Sequence, residues 1–436
     1  MTRVVLAFAL VGLCCLYCLF PQGALAQQGG AAPVSFATDI APILQRSCQN
    51  CHRPGAIAPM SLLTYQDVRP WARSIKQKVT AREMPPWYID RHIGITKFKD
   101  DPSLTDQEIA TIGRWVDQGA PSGNLAEMPA PRQFTDVDKW HIGKPDIIVS
   151  LPKPYELPAT GPDEFYDADV DPGFKEDMYI SAVETKPEPY SFKVVHHATA
   201  NMIEDEEADP VGLFFNEYAL GKNGDIFPEG SGRLIKAGSK IHFNLHLHPN
   251  GERALVNVSI GFKLLPKGVV PKYVAFTQHM GDNNDLDIPP GEISRTDGYF
   301  RLPKPAVVSA FQPHMHNRGK AMCMEAIYPD IRADSARPGP ARTETLNCVS
   351  NYQFGWHITY PYADDVQPLL PAGTIIHITA WHDNTAANKY NPNPRNWVGY
   401  GQRTIDEMSF AWVSLFYLDE ADYQQRVDAR KKATHE

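Results

Sequence analysis

The chain has 436 residues, of which 43% are hydrophobic and 21% are charged, and this excludes a disordered or collagen-like protein. Its 42 basic and 51 acidic residues give a net charge of −9, and it has no block rich in Lys and Arg, so we do not expect nucleic-acid binding. The 38 prolines and 30 glycines favour short strands and turns over long helices.

The N-terminal segment, residues 1–26, has the features of an export signal. Arg3 is followed by an uncharged apolar run from Val4 to Phe20, and an Ala-Leu-Ala sequence ends at Ala26. We therefore expect cleavage near Ala26, no membrane span in the remaining chain, and a periplasmic or secreted bacterial protein. The alternative is that this segment is kept as a membrane anchor.

Export changes what the cysteines are expected to do. Three of the seven cysteines lie in the predicted signal, and Cys48 and Cys51 belong to a motif described next. Because an oxidising compartment favours pairing, Cys323 and Cys348 are predicted to form a disulfide, which would stabilise the fold by roughly 3 kcal/mol. The alternative is two free thiols.

The motif Cys-x-x-Cys-His at Cys48, Cys51 and His52 is the pattern that attaches c-type haem. Its two thiols bond to the haem vinyl groups, and the histidine presents an imidazole to the iron. A thioredoxin-like dithiol would need a surrounding βαβ unit, and a zinc site would need a second cysteine pair. The sequence shows neither, so it predicts one covalently bound haem c.

A second iron ligand is expected after this motif. Met84 precedes two prolines, which stiffen the backbone as a thioether ligand requires, and Met60 is the alternative. An amphipathic helix with an N-cap at Ser103 or Thr105 is predicted to follow and to continue through Trp115. With these features, residues 36–123 resemble a small class I cytochrome c, which implies an all-α haem domain. A Pro-rich linker, residues 124–145, follows.

From about Asp146 onward, short runs of Val, Ile, Phe and Tyr alternate with Gly, Pro, Asn and Asp. This pattern predicts β-sandwiches and shows no long helix. We place two β-sandwich domains at residues 146–268 and 269–420, followed by a charged tail at residues 421–436.

Most of the 15 histidines fall in this β region, and seven of them form three groups: His196 and His197; His242, His246 and His248; and His314 and His316. Neighbours on an ideal strand point to opposite faces, so His196 and His197 can bind one ion only at a strand end or at a local distortion. A His-x-His pair on a strand lies on one side, about 6.8 Å apart at the backbone. Without a second cysteine cluster, such sites suit copper or zinc.

The order of these motifs resembles the copper type II, ascorbate-dependent monooxygenases, a family that includes the peptidylglycine α-hydroxylating and dopamine β-monooxygenases. The order is His-His, His-x-His-Pro-Asn-Gly, His-x-His-x-x-Gly-Lys, and finally Asp-Glu-Met ending at Met408. The Asp-Ile-Pro-Pro-Gly stretch at 287–291 and the pair Cys323 and Cys348 also fit the second domain of that family. The resemblance covers residues 146–420.

The resemblance implies two copper ions on facing jelly-roll-like sandwiches, separated by a solvent gap. The matching residues are His196, His197 and His246 for a site that handles electrons, and His314, His316 and Met408 for the site of oxygen binding and C–H hydroxylation. His242 and His248 lie on the same strand face as His246 and stay as alternatives. A soft thioether ligand favours Cu(I), the state that binds O2.

Three features depart from that family. Gln312 stands where the peptidylglycine enzymes have a carboxylate-binding arginine, and Phe410 and Trp412 stand where they have Asn and Tyr. A peptide C-terminus is therefore not the expected substrate. The fused haem domain is also absent from those two relatives.

Together these motifs predict an exported haem–copper oxidoreductase that hydroxylates a small organic substrate with O2. Electrons from an external one-electron donor would enter through the haem. The alternative is a non-enzymatic electron-transfer or copper-handling protein on the same scaffold.

Overall fold

The computed structural model describes residues 33–134, 140–209, 212–282, 284, 286–329 and 342–435. The predicted export signal and its cleavage site lie outside these residues. Among the described residues, none of the helices combines the length and the apolar character that crossing a membrane requires.

The first part of the described chain is helical. Its α-helices are α1 (Ala41–Ser47), α2 (Tyr65–Val68), α3 (Ala72–Thr80) and α4 (Asp106–Asp117), with shorter helical turns at Phe36–Ile40, Arg69–Trp71 and Leu125–Glu127. The helix α4 begins with a capping box, in which the Thr105 hydroxyl accepts the Glu108 N–H and the Glu108 carboxylate accepts the Thr105 N–H. Phe36 and Trp115 are fully buried in the core of this helical part.

The rest of the described chain is almost entirely β-structure. The first eleven strands are β1 (Ile147–Ser150), β2 (Tyr155–Leu157), β3 (Glu164–Val170), β4 (Met178–Pro187), β5 (Val195–Ile203), β6 (Leu213–Ala219), β7 (Asp225–Ile226), β8 (Ser231–Ile235), β9 (Lys240–Leu247), β10 (Ala254–Val256) and β11 (Val258–Leu264). The remaining elements are β12 (Tyr273–Gly281), β13 (Asp287–Ile288), β14 (Ile293–Arg301), β15 (Ala306–His314), β16 (Gly319–Ile327), β17 (Thr343–Val349), β18 (Tyr360–Pro361), β19 (Leu369–Leu370), β20 (Ile375–Asp383), β21 (Val398–Gly399), β22 (Phe410–Tyr417) and α5 (Glu420–His435).

The strands form two units, each with a buried core between two sheets. In the N-terminal β unit, the order β1-β11-β4-β8 packs against β3-β9-β5-β6, and Phe243 and Phe262 from the two sheets share one core. In the C-terminal β unit, the order β12-β22-β15-β18 packs against β14-β20-β16-β17 around Phe311 and Ile376. This architecture is consistent with the predicted β-sandwiches.

The two β units pack directly on each other along a junction. Strand β8 pairs in parallel with β12, so one ten-stranded sheet runs through both units. Phe214 of β6 stacks on Trp412 of β22 with ring centroids 4.1 Å apart. At Gly221, an added Cβ would lie 2.6 Å from Cδ1 of Ile358, so the backbone of one unit touches a side chain of the other.

The predicted disulfide between Cys323 and Cys348 is confirmed, and it joins β16 to β17. The segment that follows β17, residues 350–359, is called the junction loop because it reaches the junction. Tyr352 fixes its base: the Tyr352 hydroxyl accepts the Met315 N–H at 3.1 Å and donates to the Met315 carbonyl at 2.8 Å. The disulfide and this tyrosine together hold the loop beside the His-Met-His segment.

A segment of the helical part, residues 87–99, lies on the C-terminal β unit. Ile89 pairs with Val349 in an antiparallel bridge, and Trp87 contacts Tyr360 edge to face with centroids 4.8 Å apart. We call it the docking segment, because it fixes the helical part to the β-structure three residues after Met84.

The expectation of no long helix after Asp146 is wrong at the C-terminus. Glu420–His435 is one helix, and it contains most of the predicted charged tail. It is rich in Ala, Gln, Lys and Arg, which favour helix intrinsically, but its apolar residues form no stripe that a periodicity search detects.

Two glycines allow the junction packing to be tested. Gly221 and Gly238 both have positive φ, 91° and 79°, so replacing either by Ala costs about 1–2 kcal/mol in backbone strain. Only at Gly221 would the new methyl group meet a neighbour within 4 Å. We expect Gly221→Ala to lower the free energy of unfolding by about 1–3 kcal/mol more than Gly238→Ala in denaturant titrations. Equal losses would contradict the packing described here.

Candidate metal centre

Histidines from both β units meet at the junction. Neighbouring rings within each unit have centroids 4.8 to 5.5 Å apart. The members are His196, His197, His246 and His248 from the N-terminal β unit, and His314 and His316 from the C-terminal β unit. The Phe354 ring of the junction loop lies 5.3 Å from His196 and 5.6 Å from His316, so the groups of the two units form one cluster.

A distortion in β5 brings His196 and His197 together. The pairing of β5 with β9 is irregular between Val195 and His197, as in a β-bulge, which re-aims one side chain. The two Nδ1 atoms lie 3.2 Å apart. Two nitrogens that bind one tetrahedral ion through bonds of about 2.0 Å are about 3.3 Å apart, so this pair is spaced for one ion. The bulge is the kind of local distortion that the sequence required.

The geometry favours His246 as the third ligand of this group. One nitrogen each of His196, His197 and His246 lie within 4.8 Å of one another. The Asp163 carboxylate is 3.1 Å from His246 Nε2, so Nε2–H donates to it and Nδ1 keeps the lone pair that a metal needs. Carboxylates commonly orient metal-binding histidines in this way.

The alternatives to His246 have other partners. His242 pairs with Asp169 at 2.7 Å and with Asp167 at 3.3 Å, outside the cluster. His248 bonds to Asp163 through Nδ1 at 2.5 Å and, with Asp163 and His246, forms a second group whose ligand atoms lie within 4.8 Å. His248 thus remains an alternative ligand.

His314 and His316 approach this group from the opposite unit. His314 is the last residue of β15, and Met315 between the two histidines is fully buried in the core. The His316 Nδ1–H donates to the Asp406 carbonyl at 3.2 Å, which leaves Nε2 for a ligand. Nδ1 of His314 is buried without a partner among the described residues.

Glu407 fixes the Asp-Glu-Met segment beside these histidines. Its buried carboxylate accepts the His316 N–H at 2.8 Å and the Arg318 N–H at 2.6 Å. Burial raises the pKa of Glu407 to about 8, opposed by these two hydrogen bonds and by the Arg318 charge. Met408 follows directly, half-buried and two residues before β22, and its carbonyl accepts the His382 Nε2–H at 3.0 Å.

Sequence reasoning missed a seventh histidine, His357 of the junction loop. Its ring centroid lies 5.0 Å from that of His314, 5.5 Å from His196 and 5.8 Å from His197. Both of its ring nitrogens are buried with no hydrogen-bond partner among the described residues. A lone histidine next to Trp356 has no spacing pattern, so the sequence holds no signal that would single it out.

Burial disfavours the charged form of five of these imidazoles. Burial, reinforced by the neighbouring imidazoles, lowers the pKa of His196 to about 2 and that of His357 to about 3. Burial also lowers the pKa of His316 to about 4, and those of His197 and His314 lie well below the ordinary value. Neutral imidazole is the form that binds metal, so these five rings present ligands rather than charges at neutral pH.

Gln312 forms hydrogen bonds across the junction between the two β units. Its Nε2–H donates to the buried Glu217 carboxylate at 2.6 Å, and the Thr359 hydroxyl donates to its Oε1 at 2.6 Å. Gln312 therefore links β15 to β6 of the other unit and to the junction loop.

The Cys-x-x-Cys-His motif follows α1 in the helical part. Cys48 and Cys51 are free thiols, and burial raises the pKa of Cys48 to about 12. The His52 Nδ1 lies 3.3 Å from the Met60 carbonyl and donates to it, which leaves Nε2 for iron. This donor set fits haem c. The hydrogen bond to His52 Nδ1 places the Met60 backbone on the side of the ring away from Nε2. Met84 lies half-buried after α3.

Comparisons with known proteins do not assign the chain. No protein-family model matches it, and no curated protein is similar to it in sequence. Solved structures with partial similarity include the VP2 subviral particle of infectious bursal disease virus, with 10% identity, a TM-score of 0.20, and coverage of 64% of this chain and 74% of that chain. The CBM22 tandem domain of Paenibacillus barcinonensis Xyn10C gives 10% identity, a TM-score of 0.18, and coverage of 65% and 100%. Similarity this low carries no argument.

The Asp163 carboxylate generates a prediction with a matched control. Asp163→Asn removes the charge that orients His246, so copper affinity of the His196 group should fall about 10- to 100-fold. Asp167→Asn removes the same charge from the His242 pair outside the cluster and should leave copper affinity unchanged. Competition titrations with a Cu(I) chelator measure both. Equal affinities in the two variants would show that Asp163 does not support a metal ligand.

Proposed function

We propose that this protein is an exported haem–copper oxidoreductase, a copper-dependent monooxygenase that hydroxylates a C–H bond of a small organic substrate with O2. The observation that carries the proposal is the pair of neutral imidazole groups, one from each β unit, that face each other at the junction. Electrons from an external donor would enter through haem c held by the helical part.

The two groups suit different tasks. His196, His197 and His246 offer three imidazoles, a set that holds copper in both oxidation states and so suits electron transfer. His314 and His316 offer two imidazoles beside the Met408 segment, and a thioether favours the reduced ion that reacts with O2. Bound copper would supply the one-electron chemistry and O2 activation that C–H hydroxylation needs.

The side chains around the second group favour an apolar substrate. Phe410 stacks on His314 with centroids 4.7 Å apart, and Phe354 lies 5.6 Å from His316 and 5.3 Å from His196. Gln312 is engaged by Glu217 and Thr359, which supports a substrate that does not anchor a carboxylate at this position.

The helical part supports the role proposed for the haem. Residues 36–123 contain the free thiols Cys48 and Cys51, the imidazole of His52 and a buried core of their own, as a class I cytochrome c domain requires. The docking segment begins three residues after Met84, the proposed second iron ligand, and packs on the C-terminal β unit. Haem held here would thus be attached to the unit that contains His314 and His316.

One observation favours the alternative, a non-enzymatic electron-transfer or copper-handling protein. His314 and His316 are only 6% and 4% exposed, and a substrate must reach them. Electron transfer needs no such access. Formation of a hydroxylated product is therefore the measurement that distinguishes a monooxygenase from a non-enzymatic protein.

Iron ligation is tested by two methionine variants. Met84→Ala should abolish the thioether-to-iron absorption band while the haem stays covalently attached, because the thiols are untouched. Met60→Ala is the control and should keep the band, since the substitution keeps the Met60 carbonyl that accepts the His52 Nδ1–H. Visible spectra of both proteins decide, and loss of the band in Met60→Ala alone would reverse the assignment.

Hydroxylation is tested with copper-loaded, haem-containing protein, small apolar substrates and ¹⁸O2. We expect O2 uptake matched by product that carries ¹⁸O. Met408→Leu keeps the side-chain volume but removes the thioether, so Cu(I) affinity should fall at one of two sites and product should disappear.

Met315→Leu is the matched control for this substitution, because Met315 lies between the two histidines but packs in the core. It should keep both copper ions and form product. Full copper binding without ¹⁸O product from any substrate would favour the non-enzymatic alternative.

A further inference from the structure

The position of His357 has a consequence beyond the two separate copper sites that the family resemblance implies. We propose that His357 is a ligand shared by the two metal groups, so that the two ions form one coupled dinuclear centre. This inference rests on the proposed function only in requiring copper at both groups.

The first support is its place between the groups. The histidine rings nearest to His357 belong to both β units: His314 at 5.0 Å on one side, and His196 and His197 at 5.5 and 5.8 Å on the other. Imidazoles that bind one ion through bonds of about 2 Å have centroids about 5 Å apart. His357 is thus at ligand spacing from His314 and close to it from the other two.

The second support is that the ring nitrogens have no well-formed hydrogen bond in the described chain, where the Phe354 carbonyl is the backbone acceptor that acts on the ring. His357 is 2% exposed, and neither ring nitrogen makes a hydrogen bond among the described residues. A buried polar group without a partner is destabilising, and metal binding at both nitrogens would remove this penalty.

The third support is that the junction loop holds His357 firmly in this place. Ile358, its neighbour, packs against Gly221 of the other unit, and the Thr359 hydroxyl donates to Gln312. Tyr352 and the Cys323–Cys348 disulfide fix the start of the loop. The ring is therefore held between the two groups from both ends of the loop.

The chemistry of a shared imidazole is simple. Neutral imidazole has one lone pair and one N–H, so binding an ion at each nitrogen displaces the ring proton to solvent. Two metal–nitrogen bonds of about 2 Å on opposite sides of the ring then place the ions about 6 Å apart. Two Cu(II) ions at that distance, joined through one ring, couple their unpaired electrons.

The test is electron paramagnetic resonance of the full haem-containing protein loaded with two equivalents of Cu(II). The haem signal of copper-free protein is subtracted, and Cu(II) spins are compared with copper measured by elemental analysis. We expect the wild-type spin count to fall below half of the bound copper. Two bound ions with a full spin count, or binding of only one ion, would overturn the proposal.

His357→Ala and the bulkier His357→Gln should restore a full spin count for the copper that they bind. His242→Ala removes a histidine outside the cluster and should behave like wild type. The same spin deficit in folded His357 variants would overturn the proposal. If neither variant folds, the spin count of the wild-type protein alone decides whether the two copper ions are coupled. Hydroxylation is measured separately, so coupled copper without product would remove the proposed function and leave this inference intact.

Discussion

The packing at the junction has to accommodate buried imidazole nitrogens that make no well-formed hydrogen bonds. Each such atom costs about 1–3 kcal/mol, yet His357 has two and His314 has one at the same junction. A fold tolerates such groups together where a ligand satisfies them. The β8–β12 pairing, the disulfide and the Glu407 carboxylate all act to hold these rings in place.

The junction therefore differs from two sites on separate domains facing each other across solvent. The Phe214–Trp412 stack and the contact of Gly221 with Ile358 close the units on each other, and His357 lies between the two histidine groups. Close packing provides short contacts between the groups, but it also limits access to them. An enzyme built this way needs a path for substrate past the junction loop, whereas an electron carrier does not.

Much of this arrangement was predictable from local patterns. Alternation along β9 correctly separates the buried Phe243 and Leu245 from the histidine face, and elimination among the cysteines correctly gives the disulfide. The adjacent pair at His196 required a distortion, and the bulge provides one. Haem and copper remain predictions.

Three features were not predictable, for identifiable physical reasons. His357 carries no spacing signal, because its partners come from other strands and meet it only through the junction. Asp163 directly precedes β3, whereas His246 lies in β9. The local sequence around either residue does not show how these two strands pair, so their contact could not be predicted. The helix α5 has no apolar stripe, so the hydrophobic periodicity that usually reveals a helix in a sequence is missing.

Anomalous diffraction at the copper edge, from crystals of copper-loaded protein, tests most directly whether the two histidine groups bind two neighbouring copper ions at the junction. We expect two peaks at the junction about 6 Å apart, one beside His196, His197 and His246, the other beside His314 and His316, with His357 between them. Copper elsewhere, or two peaks separated by more than about 10 Å with solvent between them, would contradict this expectation.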